Sequence, residues 1–249
     1  FFFEGGNPDL DPEEGTAFSV GAVVRPSFVQ GLFISLDYFN LEISNLIRSP
    51  DPEALLNGTE SAGSVTRDAN NVPTLDVRLN NGGERTVRGF DISVSQTIET
   101  PATGTFNFYT NGVVQTTNEL VEGPVVTDFL GNFARSQPIP KFRGIFGMNW
   151  TDDVVDFAAN VDYSTGISEV FMGETFDRDA WLSVDMQLGY DFSKYQKTSW
   201  LTDGLRAYIG VENLLNGALP FFISGNNGWD RSIGDLRGRY VYGGVRKSF

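Results

Sequence analysis

The chain has 249 residues and carries 32 acidic against 18 basic side chains, a net charge of −14. A surface this acidic repels phosphate backbones, which disfavours nucleic acid, and none is expected as a partner. With neither histidine nor cysteine, the chain lacks the usual general base, any disulfide staple, and thiolate or imidazole metal ligands. No catalytic, cofactor or metal-binding constellation emerges, and the chain does not read as an enzyme.

Phenylalanine (21), glycine (28) and tyrosine (8) are abundant, yet only 40% of residues are hydrophobic and mean hydropathy is −0.18. No apolar run approaches the ~20 residues that a membrane helix needs. Strands that are half apolar and half polar fit this balance, in a membrane barrel or in a soluble β-sandwich. The order of residues separates the two.

The opening stretch, residues 1–15, is rich in proline, glycine and acids and reads as an external loop. Period-two alternation then predicts a strand over Thr16–Arg25, with Phe18, Val20, Ala22 and Val24 on one face. A short turn leads to Leu32–Ile43. From Ser44 to Asn81 the chain is polar and turn-rich, with only the TLDVRL segment resembling a strand. Arg88–Ile98 alternates, turns at residues 99–104, and continues through Phe106, Phe108 and Asn111. A second long polar connection is expected from Gln115 to Gln137.

Lys141–Thr151 and a strand carrying Val155, Phe157, Ala159, Val161 and Tyr163 flank the turn at Asp152-Asp153. After a connection of moderate length, Trp181–Phe192 gives the cleanest alternation, Leu182, Val184, Met186, Leu188, Tyr190 and Phe192 against Ser183, Asp185, Gln187 and Asp191. An intermediate connection precedes Leu205, Ala207, Ile209 and Val211, and a long loop over about 214–235 precedes the last strand, residues 238–249. There Val241, Gly243, Val245 and Phe249 share one face.

These segments predict nine strands of about ten residues, near the ~9–11 that cross a bilayer at a tilt. Their connections alternate between short and long, as in an up-and-down membrane barrel with turns at one end and loops at the other. A soluble Greek-key sandwich has no reason to keep that rhythm. The fold class expected is all-β, a transmembrane antiparallel up-and-down β-barrel. With nine strands the first and last run parallel, so the segment is not expected to close alone. It is expected to be the C-terminal part of a larger barrel.

Two stretches carry a family resemblance. Asn7-Pro8-Asp9-Leu10-Asp11-Pro12-Glu13 resembles the Asn-Pro-x-Leu-x-Pro-Glu signature of TonB-dependent outer-membrane receptors. Asn213-Leu214-Leu215-Asn216, followed by residues 238–249, resembles their last two strands, and Arg88-Gly89-Phe90-Asp91 resembles one of their strand openings. The resemblance implies a 22-stranded barrel of which this chain supplies the last nine strands, with a plug domain that lies outside it. It also implies the bacterial outer membrane, and active import of a scarce nutrient of siderophore, cobalamin or glycan type. The partners implied are TonB with its inner-membrane energising complex, the barrel-assembly machinery, outer-membrane lipid and the small nutrient ligand. A plug-free passive porin and a secreted carbohydrate-binding sandwich are the alternatives.

On that resemblance Val241, Gly243, Val245 and Phe249 form the barrel-assembly signal. Arg143, Asp185, Asp191, Arg206 and Glu212 occupy the polar strand faces and are expected toward the lumen or plug, with plug contact favoured over substrate. Phe221, Phe222, Asn226, Asn227 and Trp229 are the candidate ligand loop, since aromatics beside amides suit a glycan or siderophore; packing of the loop on itself is an equal alternative. Trp150, Tyr163, Tyr190 and Phe192, near strand ends, read as membrane-interface aromatics. Asp152, Asp153 and Asp156 suggest a cation site less than a solvated turn.

Overall fold

The computed structural model of the chain describes residues 1–58, 63–134, 137–195, 201–225 and 228–248. Among them, nine long strands follow one another: β1 (Glu14–Val24), β2 (Leu32–Ser44), β3 (Glu84–Thr100), β4 (Gly104–Glu122), β5 (Phe142–Thr151), β6 (Val155–Ser164), β7 (Trp181–Asp191), β8 (Leu205–Glu212) and β9 (Tyr240–Lys247). Each is hydrogen-bonded to its sequence neighbours in one antiparallel sheet. A tenth strand, Val125–Asp128, folds back on the end of β4. Short connections and long loops alternate along this path, as the sequence rhythm implied.

The chain divides into two compact units. The larger comprises Gly21–Asp37, Phe90–Val114 and Gly131–Phe249. Here the alternation of apolar residues becomes two chemically distinct sheet faces. Phe157 pairs with Leu188, Ala159 with Met186 and Val161 with Val184. The same face continues through Phe146, Met148 and Trp150 on β5 and through Ile209 and Val211 on β8. Leu188, Ile209, Val241 and Val245 are all exposed on it. Near its edges lie the aromatics, with Trp150 against Phe106 (6.1 Å) and Tyr190 against Phe192 (4.6 Å) at the short-turn end, and Tyr163 against Phe142 (6.1 Å) at the long-loop end.

The opposite face is polar and is organised by close packing of tyrosine on glycine. Tyr208 and Tyr242 exchange places across the last hairpin. A Cβ on Gly244 would meet the Tyr208 hydroxyl at 2.5 Å, and one on Gly210 would meet the Tyr242 ring at 2.3 Å. Only glycine leaves room for a ring laid flat across the neighbouring strand. Tyr242 donates its hydroxyl proton to Gln187 at 3.1 Å, and Tyr109 donates to Asn160 at 2.6 Å.

The smaller unit comprises Phe1–Val20, Tyr38–Gly89 and Gln115–Leu130. In it the structure departs from the sequence expectations. Residues 1–15 are not loop throughout. Phe2–Phe3 pairs parallel with Pro73–Asp76, which pairs antiparallel with Ser64–Arg67, and β1 already begins at Glu14. A helical turn, Pro52–Leu56, helps to bury Leu55 with Leu75 and Val77. The described residues between Ser44 and Asn81 thus form a small folded element; its apolar residues are too widely spaced to show a period.

Strands β3 and β4 run for 17 and 19 residues, against the ten expected. Residues 115–122, read as polar connection, continue β4. Their alternation is real, but its buried members are Asn118, Leu120 and Glu122, and two of the three are polar. Burial is tolerated because Arg48 lies 2.6 Å from Glu122, and Arg85 and Gln115 bond Asn118. The connection between β6 and β7 also proves to be a hairpin, Ile167–Phe171 with Glu174–Arg178.

Replacing Gly210 with Val should displace Tyr242, break its bond to Gln187 and cost about 1–3 kcal/mol. Urea unfolding of the full-length protein in detergent measures this; an unchanged midpoint would remove the packing argument.

Candidate functional site

All five polar-face candidates share the face opposite the apolar one, as strand parity requires. Toward the long loops, Arg143 donates to the carbonyl oxygens of Ser232 and Ile233, the latter at 3.3 Å, and lies 3.9 Å from Asp162. Asp185 accepts from Ser183 (3.0 Å) and from the backbone of Asn213 (2.8 Å), and Glu212 from Arg237 (3.0 Å). Toward the short turns, Arg206 pairs with Asp156, and Asp191 accepts from the backbone N–H of Ser193 at 3.0 Å. Each group already has a partner, and they are spread along the sheet rather than converging.

The aspartates at the β5–β6 turn are likewise engaged. Asp152 accepts from the N–H groups of Val155 and Val154, both at 2.7 Å, which holds its carboxyl below the usual range. Among the described residues no three acids converge as a cation cage would require.

The motif Asn213-Leu214-Leu215-Asn216 folds for a local reason. Asn213 and Asn216 both adopt left-handed backbone (φ 50° and 56°), which asparagine tolerates better than most residues. The Asn213 side chain closes the turn on Gly217 (2.8 and 2.9 Å), and Asn216 accepts from the N–H of Arg239 at 3.0 Å. The motif thereby anchors both ends of the last loop. The Asn7–Glu13 motif works similarly in the other unit. Asn7 caps the N–H of Asp9 (3.0 Å), Asp11 is gripped by the Asn81 side chain (2.8 Å in each direction), and Glu13 accepts from Ile47 N–H at 2.7 Å.

In the larger unit, segments following β4, β6 and β8 share one core of Phe133, Ile167, Trp181, Leu219, Phe222 and Ile233. Phe222 is 0% exposed and stacks on Phe133 at 4.3 Å. It therefore holds the loop together and does not face a ligand. Phe221 and Trp229 remain about half exposed, edge to face at 5.2 Å. Asn226 and Asn227 lie outside the described residues.

Inside this core region is a residue the sequence reading passed over. Glu169 is fully buried. Its carboxylate accepts from Arg178 (2.8 Å), the N–H groups of Ile223 (2.9 Å) and Ser224 (2.6 Å), and the Ser224 hydroxyl (2.6 Å). Burial pushes the carboxyl up, but the four donors outweigh it and hold it at about 2. The signal was present: in Ile167-Ser168-Glu169-Val170-Phe171 strict alternation puts the acid on the apolar face.

Of the terminal-strand candidates, Val241, Gly243 and Val245 lie opposite Val211, Ile209 and Ala207 on the apolar face; Phe249 lies outside the described residues.

A family model described as "TonB dependent receptor-like, beta-barrel" matches residues 1–214. The chain belongs to that family. It is therefore part of a transmembrane barrel of the bacterial outer membrane. None of the curated proteins matches it in sequence. Among solved structures it is similar to a mutant of the ferric enterobactin receptor PfeA from Pseudomonas aeruginosa (TM-score 0.64, 16% identity, covering 99% of this chain and 32% of that one). It is also similar to the siderophore receptor PirA from Acinetobacter baumannii (0.64, 14%, 99% and 33%). A third is the FrpB iron transporter from Neisseria meningitidis (0.60, 11%, 97% and 32%). The chain spans about a third of the length of each, and at these identities the likeness is one of fold.

Because the folded-state pKa of Glu169 is depressed, its contribution to stability is full above 4.5 and is lost as pH falls toward about 2. Near-UV circular dichroism of the full-length receptor should show a loop-aromatic change in that window, and the change should be absent from Glu169→Gln.

Proposed function

We propose that the chain is the C-terminal part of an outer-membrane receptor that captures a scarce nutrient, of metal–siderophore type, and imports it with energy delivered through TonB. Supporting this reading is the family match over residues 1–214, joined to a fold shared with ferric enterobactin and siderophore receptors. Such a receptor is a transporter and not an enzyme.

In this reading the apolar face, with Leu188, Ile209, Val241 and Val245, meets outer-membrane lipid, and the polar face looks into the lumen. Arg143, Asp185, Asp191, Arg206 and Glu212 then form a charged wall toward the plug, which other parts of the protein supply. Val241, Gly243, Val245 and Phe249 present the assembly machinery with its recognition strand. The exposed pair Phe221 and Trp229 contacts cargo at the outer mouth, where flat aromatic surfaces suit a siderophore's rings or a sugar's face. TonB acts on the plug and opens a path along the lumen.

The test is uptake of radiolabelled ferric enterobactin by cells producing the full-length protein. Uptake should vanish without TonB, and Phe221→Ala with Trp229→Ala should weaken binding about tenfold or more, the scale of aromatic hot spots. TonB-independent flux, with steady conductance in planar bilayers, would instead identify a passive channel.

A further inference from the structure

The buried Glu169 cluster is not accounted for by transport as described. A carboxylate withdrawn from water is costly unless its lone pairs are filled, and here four donors fill them. Only Arg178 belongs to the hairpin that carries Glu169; the other three come from Ile223 and Ser224, across the loop between β8 and β9. The carboxylate is thus the polar joint between two segments far apart in sequence, and it adjoins the apolar core that also brings in Phe133 from the connection after β4.

The joint grips the backbone next to the exposed aromatics. Phe222, immediately before the gripped amides, accepts no freedom of its own: it is buried on Phe133, and its N–H bonds the carbonyl of Gly228 at 2.7 Å. Gly228 in turn precedes Trp229. Ring packing of Phe221 on Trp229 closes the circuit. Fixing the amides of 223 and 224 therefore fixes the direction in which Phe221 and Trp229 project.

We infer that Glu169 is a positioning residue, a latch that joins the 167–178 hairpin to residues 219–225 as one preformed plate and presents Phe221, with Trp229 packed against its ring, to cargo. The latch rests on geometry alone; its bearing on cargo rests on the function proposed above. Such preorganisation favours binding because the loop's ordering is completed before cargo arrives. It also means that these loops form a fixed wall of the outer mouth rather than a mobile lid.

Hydrogen exchange of the full-length receptor in detergent, followed by mass spectrometry, tests the latch. In the wild type the amides of Ile223 and Ser224 should be protected. In Glu169→Ala their exchange should accelerate about tenfold or more, while peptides from β7 keep their wild-type protection. Glu169→Gln, which retains one acceptor oxygen, should fall between. Ser224→Ala, which removes one of the four donors, should give a smaller acceleration of the same amides. Unprotected wild-type amides, or protection unchanged in Glu169→Ala, would overturn the latch, as would loss of β7 protection in all three variants. Ferric enterobactin affinity of the same preparations separates the two claims. An unlatched Glu169→Ala that binds as tightly as wild type would overturn the positioning role. A wild type that does not bind this probe, with the exchange pattern intact, would count against the cargo reading and leave the latch standing.

Discussion

The constraint on which this structure depends is that a backbone crossing hydrocarbon must satisfy its own hydrogen bonds. A chain with no long apolar run meets it by laying each strand against its sequence neighbour, so that every interior ladder bond is made by the adjacent strand. Once that is imposed, the two-residue period of the strand does the rest. In the orientation proposed above, one set of side chains meets lipid and the other water, and the sequence supplies Leu188, Ile209 and Val241 for the first and Asp185, Gln187 and Arg206 for the second. The exchanged Tyr208 and Tyr242 lie on the polar face because glycine leaves the rings room beside a ladder that cannot bend away.

That same constraint explains what was legible in advance. Along β5 to β9 the apolar and polar sets are separated with few exceptions, Ile145 on the polar face and Lys247 on the apolar one, so these strands could be read from alternation with ends right to within a few residues. The Asn213–Asn216 motif was readable for a different reason. It was recognised by resemblance to a known family, and the structure supplies the physical reason: its two asparagines stand where the chain needs left-handed backbone. The Asn7–Glu13 motif was recognised as a signature, but its hydrogen bonds to Asn81 and Ile47 join positions that no local pattern connects.

Away from β5 to β9 the correspondence between hydropathy and burial weakens. Residues 115–122 alternate, yet two of their three buried members are Asn118 and Glu122, each matched by an arginine remote in sequence. Glu169 is the same case in sharper form. Read alone, a glutamate is a surface residue; only the fold brings Arg178, Ile223 and Ser224 around it. Phe222 shows the converse, an aromatic in a loop that looked available to a ligand and is wholly enclosed. A polar residue that is buried because it is paired leaves its mark in the partner's position, which sequence order does not reveal.

The extra length of β4 has a consequence for what a binder of this stretch would recognise. β4 continues as strand through residues 115–122, and Val125–Asp128 folds back on its end, with Val125 opposite Glu122 and Asp128 opposite Glu119. At about 3.4 Å per residue, residues 115–122 make roughly 27 Å of strand. An antibody that recognises this stretch therefore reads a shape set by backbone pairing. An epitope there would exist in the folded protein and would be missing from a peptide of the same sequence.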